Sequence, residues 1–413
     1  MHSRLHGKTL CAALVISTAL AGIAPAADWP HFRGPRLDGI SDETGLLEAW
    51  PESGPPELWR VPIGEGYSGI SVVGDRAYTL YVSDGKEILG VFDTASGKEL
   101  WRYTVGDKWK DMMGNGPRST PTVADGVVYV LGAHGTLAAL DSETGRELWR
   151  QDLKKTIGAR PPTWGVSTSP LVDGKKLIFD AGGRSGHSIV ALDRATGELI
   201  WHAESDKAGY STPLPLTLGE MRQVVMFTGT QVVGVDPADG RVLWKRPWKT
   251  SYDVNAATPL FIPPNRLFVA SGYSTGGALF ELQANGGATR LAEVWKSPRM
   301  RNQFSSSVYY KGHIYGFDNA TLKCLDAATG EEKWAAREGF GHGSLTLAEG
   351  HLYVLGDRGK LALIEATPEG FRQKSAVEIL DGKCWTVPTL ANGRLYVRNE
   401  KQLVALDVRA PGS

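Results

Sequence analysis

The chain has 413 residues with 45 basic and 45 acidic side chains, so its formal net charge is zero. Because no long run of one sign occurs, this balance speaks against nucleic acid or an anionic membrane surface as a partner. A hydrophobic fraction of 42% is enough for a large core, and 50 glycines against 6 methionines are typical of an all-β protein with many turns.

The N-terminus has the layout of a secretory signal peptide. Two basic residues precede an apolar run from Leu10 to Ile23, and the small residues Ala24 and Ala26 follow it. Because about 14 apolar residues are too few to span a membrane, we predict that residues 1–26 are removed, with cleavage after Ala26 or Ala27. We expect a protein exported to the periplasm or out of the cell, without a transmembrane segment and soluble after cleavage.

Residues 27–56 are rich in proline, glycine and aromatic side chains and match no repeat unit. Trp29, Phe32 and Trp50 are candidate anchors in this segment. Linkers rarely contain so many aromatic residues, so we predict an irregular strap that lies against the following domain.

From residue 57 onward one unit recurs along the chain. In its clearest copy an apolar pair precedes Asp141, a glycine follows four residues later, and Trp149 comes after four more. The acidic position recurs every 39 to 52 residues, with degenerate copies at Glu281 and Glu365. The other repeat residues are Trp59, Asp93, Trp101, Asp193, Trp201, Asp236, Trp244, Trp295, Asp326, Trp334 and Asp407.

Each unit predicts a hairpin. The aspartate can accept backbone N–H groups at the end of one strand, the glycine supplies a positive φ for the turn, and the tryptophan lies in the returning strand. A second pair of short strands precedes each hairpin, so every unit holds four antiparallel strands. A period of about 44 residues with four strands is typical of a propeller blade.

The two ends of the repeat region complement each other. Residues 57–60 look like an outer strand without its hairpin, and residues 404–407 look like a hairpin half without its outer strand. We therefore predict an all-β fold, an eight-bladed β-propeller of four-stranded antiparallel blades over residues 57–409, followed by a tail at 410–413. Pairing of the N- and C-terminal strands would close the ring and remove an exposed sheet edge. We expect a monomer.

The repeats resemble the pyrroloquinoline quinone (PQQ)-type β-propeller repeat, with its Ala-x-Asp-x-x-Thr-Gly-x-x-x-Trp signature. The resemblance implies that the repeat tryptophans pack between neighbouring blades. The family includes quinoprotein dehydrogenases and also the non-enzymatic propeller of the outer-membrane β-barrel assembly machinery, which the chain resembles more. That propeller is lipid-anchored, whereas Cys11 lies at the start of the apolar run and not after it.

Ligands of propellers usually meet the loops that lead into the innermost strands. The residues at these positions are aromatic and mildly cationic, which suits an anionic ligand or an extended peptide. The predicted ligand-binding residues of this axial face are Arg118, Trp164, Tyr210, Asn255, Arg301, His342 and Trp385.

The chemistry of the quinoprotein enzymes is not evident in the sequence. Their sites need a carboxylate and an amide on calcium, a catalytic aspartate and, in the alcohol dehydrogenases, adjacent cysteines. No Cys-Cys pair, no Cys-x-x-Cys-His haem motif and no acidic residue at the inner-strand positions occurs. We predict no catalytic residue, no metal ligand and no cofactor.

These observations favour an exported, non-catalytic binding or scaffold protein that docks a protein, a peptide or a small anionic ligand on its axial face. One alternative is a PQQ-dependent oxidoreductase with a degenerate site, which an acidic calcium shell would favour. A second alternative is a carbohydrate- or polymer-binding module, which a shallow aromatic groove would favour.

Overall fold

The computed structural model describes residues 27–412, so the predicted signal peptide lies outside the described residues. Within this range 32 strands form eight four-stranded antiparallel sheets. The predicted eight-bladed propeller is therefore confirmed. Among the described residues, no helix is both long enough and apolar enough to cross a membrane.

Each blade takes its strands in chain order from the axis outward, and only the last blade joins both ends of the chain. Strand β1 spans Glu57–Pro62 and belongs to blade 8. Blade 1 consists of β2 (Ser71–Val73), β3 (Arg76–Ser83), β4 (Lys86–Asp93) and β5 (Glu99–Asp107). Blade 2 consists of β6 (Thr122–Ala124), β7 (Val127–Leu131), β8 (Thr136–Asp141) and β9 (Glu147–Asp152). Blade 3 consists of β10 (Leu171–Asp173), β11 (Lys176–Asp180), β12 (Ile189–Asp193) and β13 (Leu199–Ala203). Blade 4 consists of β14 (Leu214–Leu218), β15 (Met221–Phe227), β16 (Gln231–Val235) and β17 (Val242–Pro247).

The second half of the ring repeats this order. Blade 5 consists of β18 (Leu260–Ile262), β19 (Arg266–Ser271), β20 (Gly276–Asn285) and β21 (Ala288–Ser297). Blade 6 consists of β22 (Val308–Tyr310), β23 (His313–Asp318), β24 (Thr321–Asp326) and β25 (Glu332–Ala336). Blade 7 consists of β26 (Ser344–Ala348), β27 (His351–Leu355), β28 (Lys360–Glu365) and β29 (Gln373–Glu378). Blade 8 consists of β30 (Thr389–Ala391), β31 (Arg394–Arg398), β32 (Gln402–Asp407) and β1.

Two short helices lie in loops between blades, α1 at Leu153–Thr156 and a 3-10 turn at Ser251–Asp253. The residues that make blade 5 longer than its neighbours, 285–290, do not form a loop. They extend a hairpin, in which Asn285 pairs with Ala288. Strands continue there because the turn residues Gly286 and Gly287 both adopt positive φ.

The repeat turn forms by the predicted hydrogen bonds. Asp141 Oδ1 accepts the backbone N–H of Thr144 at 2.8 Å and the Thr144 hydroxyl at 2.7 Å. Gly145 closes the turn with a φ of 72°. The aspartate, threonine and glycine of the motif therefore stabilise the backbone of their own turn.

The repeat tryptophans reach from one blade to the next. The indole N–H of Trp149 donates to Arg194 O at 3.0 Å, and the ring leaves no room for a side chain at Gly197, where a Cβ would lie 3.0 Å from ring carbon Cε3. Trp59 and Trp334 make the same kind of bond to Thr94 O and Thr367 O. Trp244 differs, since it donates to a side chain of its own blade, Gln223 Oε1.

Hydroxyl groups join the innermost strands around the channel. Ser71 donates to Pro121 O at 2.5 Å, and Thr122 donates to Pro170 O at 2.7 Å. Thr389 completes the contact across the closure by donating to Ile70 O at 2.8 Å. These side chains satisfy backbone carbonyls that the short inner strands leave without a partner.

Candidate functional site

The two faces of the ring differ in their loops. Because the strands of a blade alternate in direction, the loops that enter the innermost strands lie on one face, together with the turns between second and third strands. We call this the top face and the opposite one the bottom face. The repeat hairpin turns, such as the one at Asp141, lie on the bottom face.

A cavity of about 170 Å³ opens at the axis of the top face. We call it the central cavity. Its walls are mainly apolar and aromatic, and loops of several blades contribute to them. The lining residues are Phe32, Tyr67, Gly69, Met113, Arg118, Trp164, Ser167, Tyr210, Thr212, Val254, Ala256, Tyr273, Phe304, Trp385 and Val387.

The aromatic side chains form two groups around the central cavity. On one side Trp385 stacks on Phe304 with ring centroids 4.8 Å apart, and Tyr67 lies 5.4 Å from Trp385. On the other side Trp164 packs against Tyr210 at 6.0 Å. Such walls suit a flat apolar group, since aromatic pairs at these separations attract through offset or tilted contacts.

The positive charge of Arg118 is already matched within the protein. Its guanidinium lies 2.6 Å from Asp111 Oδ2 and donates to Gly114 O at 2.6 Å. Burial lowers the pKa of Arg118, and the Asp111 carboxylate opposes that shift. The wall is therefore less cationic than the sequence suggested, and Arg118 mainly holds its own loop in place.

A lysine and a tyrosine join loops of this same wall, since Arg118 and Lys383 lie 5.7 and 5.5 Å from the Tyr67 ring centroid. Lys383 Nζ donates to Met113 O at 2.8 Å and lies 4.4 Å from the Trp385 ring centroid. The Tyr67 hydroxyl donates to Glu400 at 2.6 Å, and its pKa is raised by burial and by this carboxylate. These hydrogen bonds hold the loops of the wall together without a ligand.

The N-terminal strap forms the floor of the central cavity. Pro30 O accepts the backbone N–H of Val123 in blade 2, while the buried Arg33 donates to Ser307 O beside blade 6 at 2.6 Å. These blades are opposite each other in a ring of eight. Phe32 lies between the two anchors and lines the cavity, so the strap crosses the axis there.

Four of the seven predicted axial residues line the central cavity: Arg118, Trp164, Tyr210 and Trp385. Asn255 does not, because it is fully buried. Its amide donates to Thr228 O at 2.9 Å, and its Oδ1 accepts from Ser271. Its neighbours Val254 and Ala256 do line the cavity, and the sequence could not show that the amide between them binds backbone carbonyls of blade 4 instead.

Arg301 and His342 also lie outside the lining. Arg301 Nε donates to Asp318 Oδ1 at 2.5 Å, which directs the side chain away from the axis. The His342 ring packs against Phe304, with centroids 5.4 Å apart, and so supports a lining residue from behind. Binding roles for the seven residues stay predictions.

Sequence reasoning missed several residues of the lining. Phe32 was considered only as an anchor of the strap, and Phe304 lies three residues after the predicted Arg301. Tyr273 comes from the turn between β19 and β20, a class of turn that was not considered. No local pattern distinguishes it from other turn residues.

The donor set does not fit calcium or a calcium-bound quinone. Asp253 and Asp111 stand close in sequence to lining residues, and both already have partners. Asp253 pairs with Lys207. Asp111 accepts hydrogen bonds from Trp109, Met113, Gly114 and Arg118. In the described part of the chain, no group of three His, Cys, Asp or Glu side chains is placed to hold a metal ion. Ca²⁺ takes 6–8 oxygen ligands and a quinoprotein base needs a free carboxylate.

The family of the outer membrane protein assembly factor BamB matches residues 51–152, 85–336 and 318–410. The chain belongs to this family. Among curated BamB proteins, that of Shewanella oneidensis is 22% identical over 352 residues, covering 78% of this chain and 81% of that protein. The match therefore includes most of the propeller.

Quinoprotein dehydrogenases are related to this BamB-family chain over a shorter stretch. Quinoprotein ethanol dehydrogenase of Pseudomonas aeruginosa is 31% identical over 162 residues, which is 36% of this chain and 25% of that enzyme. The chain thus spans about a quarter of the length of the quinoprotein ethanol dehydrogenases that it matches.

Solved structures of both classes share the fold. BamB from Moraxella catarrhalis superimposes with a TM-score of 0.58 at 16% identity, covering 86% of this chain and 100% of that one. Quinohemoprotein alcohol dehydrogenase from Comamonas testosteroni gives 0.65 at 12% identity, covering 95% and 82%. Likeness at this level establishes the propeller, and function depends on the site.

Proposed function

We propose that this protein is an exported, non-catalytic scaffold that holds a protein partner on its top face. The observation that carries the proposal is the central cavity, whose apolar and aromatic walls contain no carboxylate. Membership of the BamB family supports the proposal, because BamB is described as an outer membrane protein assembly factor.

A PQQ-dependent oxidoreductase is the first alternative, and the donor set of the site argues against it. Calcium and quinone would need free carboxylates at the axis, whereas Asp111 is committed to Arg118 and to backbone N–H groups. The absence of a cofactor stays a prediction of ours.

A carbohydrate-binding module is the second alternative. Sugar hydroxyls need several convergent polar groups, because unpaired polar groups are costly to bury. Apart from the tyrosine hydroxyls and the indole N–H groups of two tryptophans, the polar side chains of the lining are Ser167, Thr212 and Arg118. Ser167 already donates to Tyr210 O and Arg118 is bound to Asp111, so the cavity favours an apolar group over a sugar.

The test combines titration with photo-crosslinking. We expect no heat of PQQ binding with or without calcium, and no PQQ-dependent oxidation of alcohols. A photo-reactive phenylalanine analogue at Met112, beside the cavity, should give protein adducts in cells, whereas the same group at Lys374 on the outer strand β29 should not. Calcium-dependent PQQ binding with turnover would overturn the proposal, and so would adducts that are equal at both positions.

A further inference from the structure

The top face has a second hollow beside the central cavity. It measures about 610 Å³ and lies between blades 3 and 4, and we call it the blade 3–4 cleft. Tyr210 lines both hollows, so they lie side by side, and we call the two together the groove. The charged residues of the cleft are Arg160, Arg184, Asp206, Lys207 and Asp253.

The charges of the cleft do not cancel. Lys207 Nζ lies 2.6 Å from Asp253 Oδ2, and Asp206 accepts hydrogen bonds from the hydroxyls of Thr228 and Thr230. Arg160 and Arg184 are exposed and, among residues 27–412, no carboxylate lies within salt-bridge distance of either. Two guanidinium groups therefore remain to bind an anion from outside, preferably a carboxylate.

The size of the central cavity limits what enters it. An apolar cavity of about 150 Å³ holds one benzene ring, and drug-sized ligands occupy about 300–1,000 Å³. At about 170 Å³ the central cavity matches a single aromatic side chain. A multi-ring cofactor would exceed it.

The apolar surface extends beyond the cavity, which favours a macromolecular partner. Met112 is 92% exposed in the loop whose next residue, Met113, lines the cavity. Tyr252 is 74% exposed, and its ring packs on Trp164 with centroids 6.4 Å apart. Large apolar side chains exposed around a pocket are typical of protein-binding surfaces.

We propose that the groove binds an extended polypeptide segment with one aromatic side chain in the central cavity and acidic side chains on Arg160 and Arg184. This proposal rests on the proposed function and adds the chemistry of the bound segment. The aromatic ring supplies the buried contact, and the carboxylates select the segment by charge.

Three synthetic peptides test the two subsites by calorimetry on the purified protein. They are acetyl-Gly-Phe-Gly-Asp-Asp-Asp-Gly-amide, the same peptide with Asn for each Asp, and the same peptide with Ala for Phe. We expect the first peptide to bind about tenfold tighter than either of the others, a difference of about 1.4 kcal/mol. The preference for Asp over Asn should shrink as NaCl is raised from 50 to 500 mM, as expected for exposed charges.

Variants locate the acidic subsite. The double substitution Arg160→Gln with Arg184→Gln should abolish the preference for Asp over Asn and leave the affinity for the Asn peptide unchanged. The control Arg358→Gln removes an exposed top-face arginine between β27 and β28 of blade 7, opposite blade 3. It should keep the full preference. Since the exchanged side chains are exposed, an unchanged melting temperature should show that each variant is folded.

The outcomes separate this proposal from the proposed function. Equal binding of the Asp and Asn peptides, or a preference that survives the double substitution, overturns the acidic subsite. Equal binding of the Phe and Ala peptides, or no binding of any peptide, overturns the aromatic subsite. In each of these cases adducts specific to Met112 would still support a scaffold with a different binding mode.

Discussion

Glu87 shows at the scale of one residue how burial sets a protonation equilibrium. It lies in β4 with almost no exposed surface, and its carboxylate accepts the Ala133 N–H at 2.9 Å. Burial raises the pKa of Glu87 from 4.5 to about 7, against the opposing effect of this hydrogen bond. Between these two values the folded protein holds a proton that the unfolded chain has lost, so this group lowers stability as pH rises.

The substitution Glu87→Gln should remove the fall in stability that ionisation of Glu87 causes as pH rises. Relative to the parent protein, the free energy of unfolding of the variant should increase on going from pH 5 to pH 8, by on the order of 1 to 3 kcal/mol. Urea unfolding at several pH values measures it. The control Glu220→Gln changes an exposed turn residue and should leave the pH profile unchanged. A variant whose difference from the parent is the same at both pH values would contradict this account.

Residue type and spacing were enough to find Arg118, Trp164, Tyr210 and Trp385 as lining residues, because each stands just before an innermost strand. Asn255 stands at the equivalent position before β18, but its side chain is buried and does not line the cavity. Its amide satisfies Thr228 O and Gly229 O. Whether these carbonyls lack another donor depends on how two loops pack against each other. The residues around Asn255 in the sequence do not show this.

At the scale of the element, the repeat tryptophan links one blade to the next. Trp149→Ala should lower the free energy of unfolding by about 3 kcal/mol, since it removes a large packed ring and leaves Arg194 O without its donor. Leu148 in the same strand is 40% exposed. Leu148→Ala should therefore cost less than about 1 kcal/mol. Equal losses in thermal unfolding would show that the tryptophan adds nothing specific to the blade interface.

The hairpin of blade 5 shows where the repeat pattern misleads. The acidic residue Glu281 was assigned to a turn, but it pairs with Ala292 in the middle of the hairpin. The strands run on because the turn has moved to Gly286 and Gly287. The extension then contacts blade 4, where Gln223 donates to Thr289 at 2.8 Å. This hydrogen bond holds the extended part of the hairpin against blade 4. Its two residues are far apart in the sequence, so the repeat pattern does not predict it.

At the scale of the whole molecule, the ring depends on the joint between blades 8 and 1. Strand β1 pairs with β32, and the fully buried Arg398 donates to Leu80 O at 2.7 Å and to Thr79 Oγ1 at 3.0 Å. Its guanidinium also reaches Gly64 O at 3.1 Å. One side chain from the C-terminal part of the ring thus satisfies three acceptors of its N-terminal part.

Arg398→Met should destabilise the protein by about 3 to 5 kcal/mol, because the buried acceptors lose their donor. Hydrogen exchange should accelerate first in β1 and β32, next to the lost contacts. Arg409→Met, which breaks an exposed pair with Asp407, should cost less than about 1 kcal/mol. Exchange that accelerates evenly around the ring in the Arg398 variant would contradict a special role of this joint.

The repeat pattern was enough to predict the number of blades and the hairpin turns, because each unit is complete within about 44 residues. The closure followed from the two complementary ends of the repeat region. Three features depend on tertiary contacts: which side chains face the axis, the path of the strap beneath the central cavity, and the lack of an acidic partner for two arginines within residues 27–412. These features arise where loops of different blades meet. Their geometry depends on distances across the ring, which the order of residues along the chain does not specify.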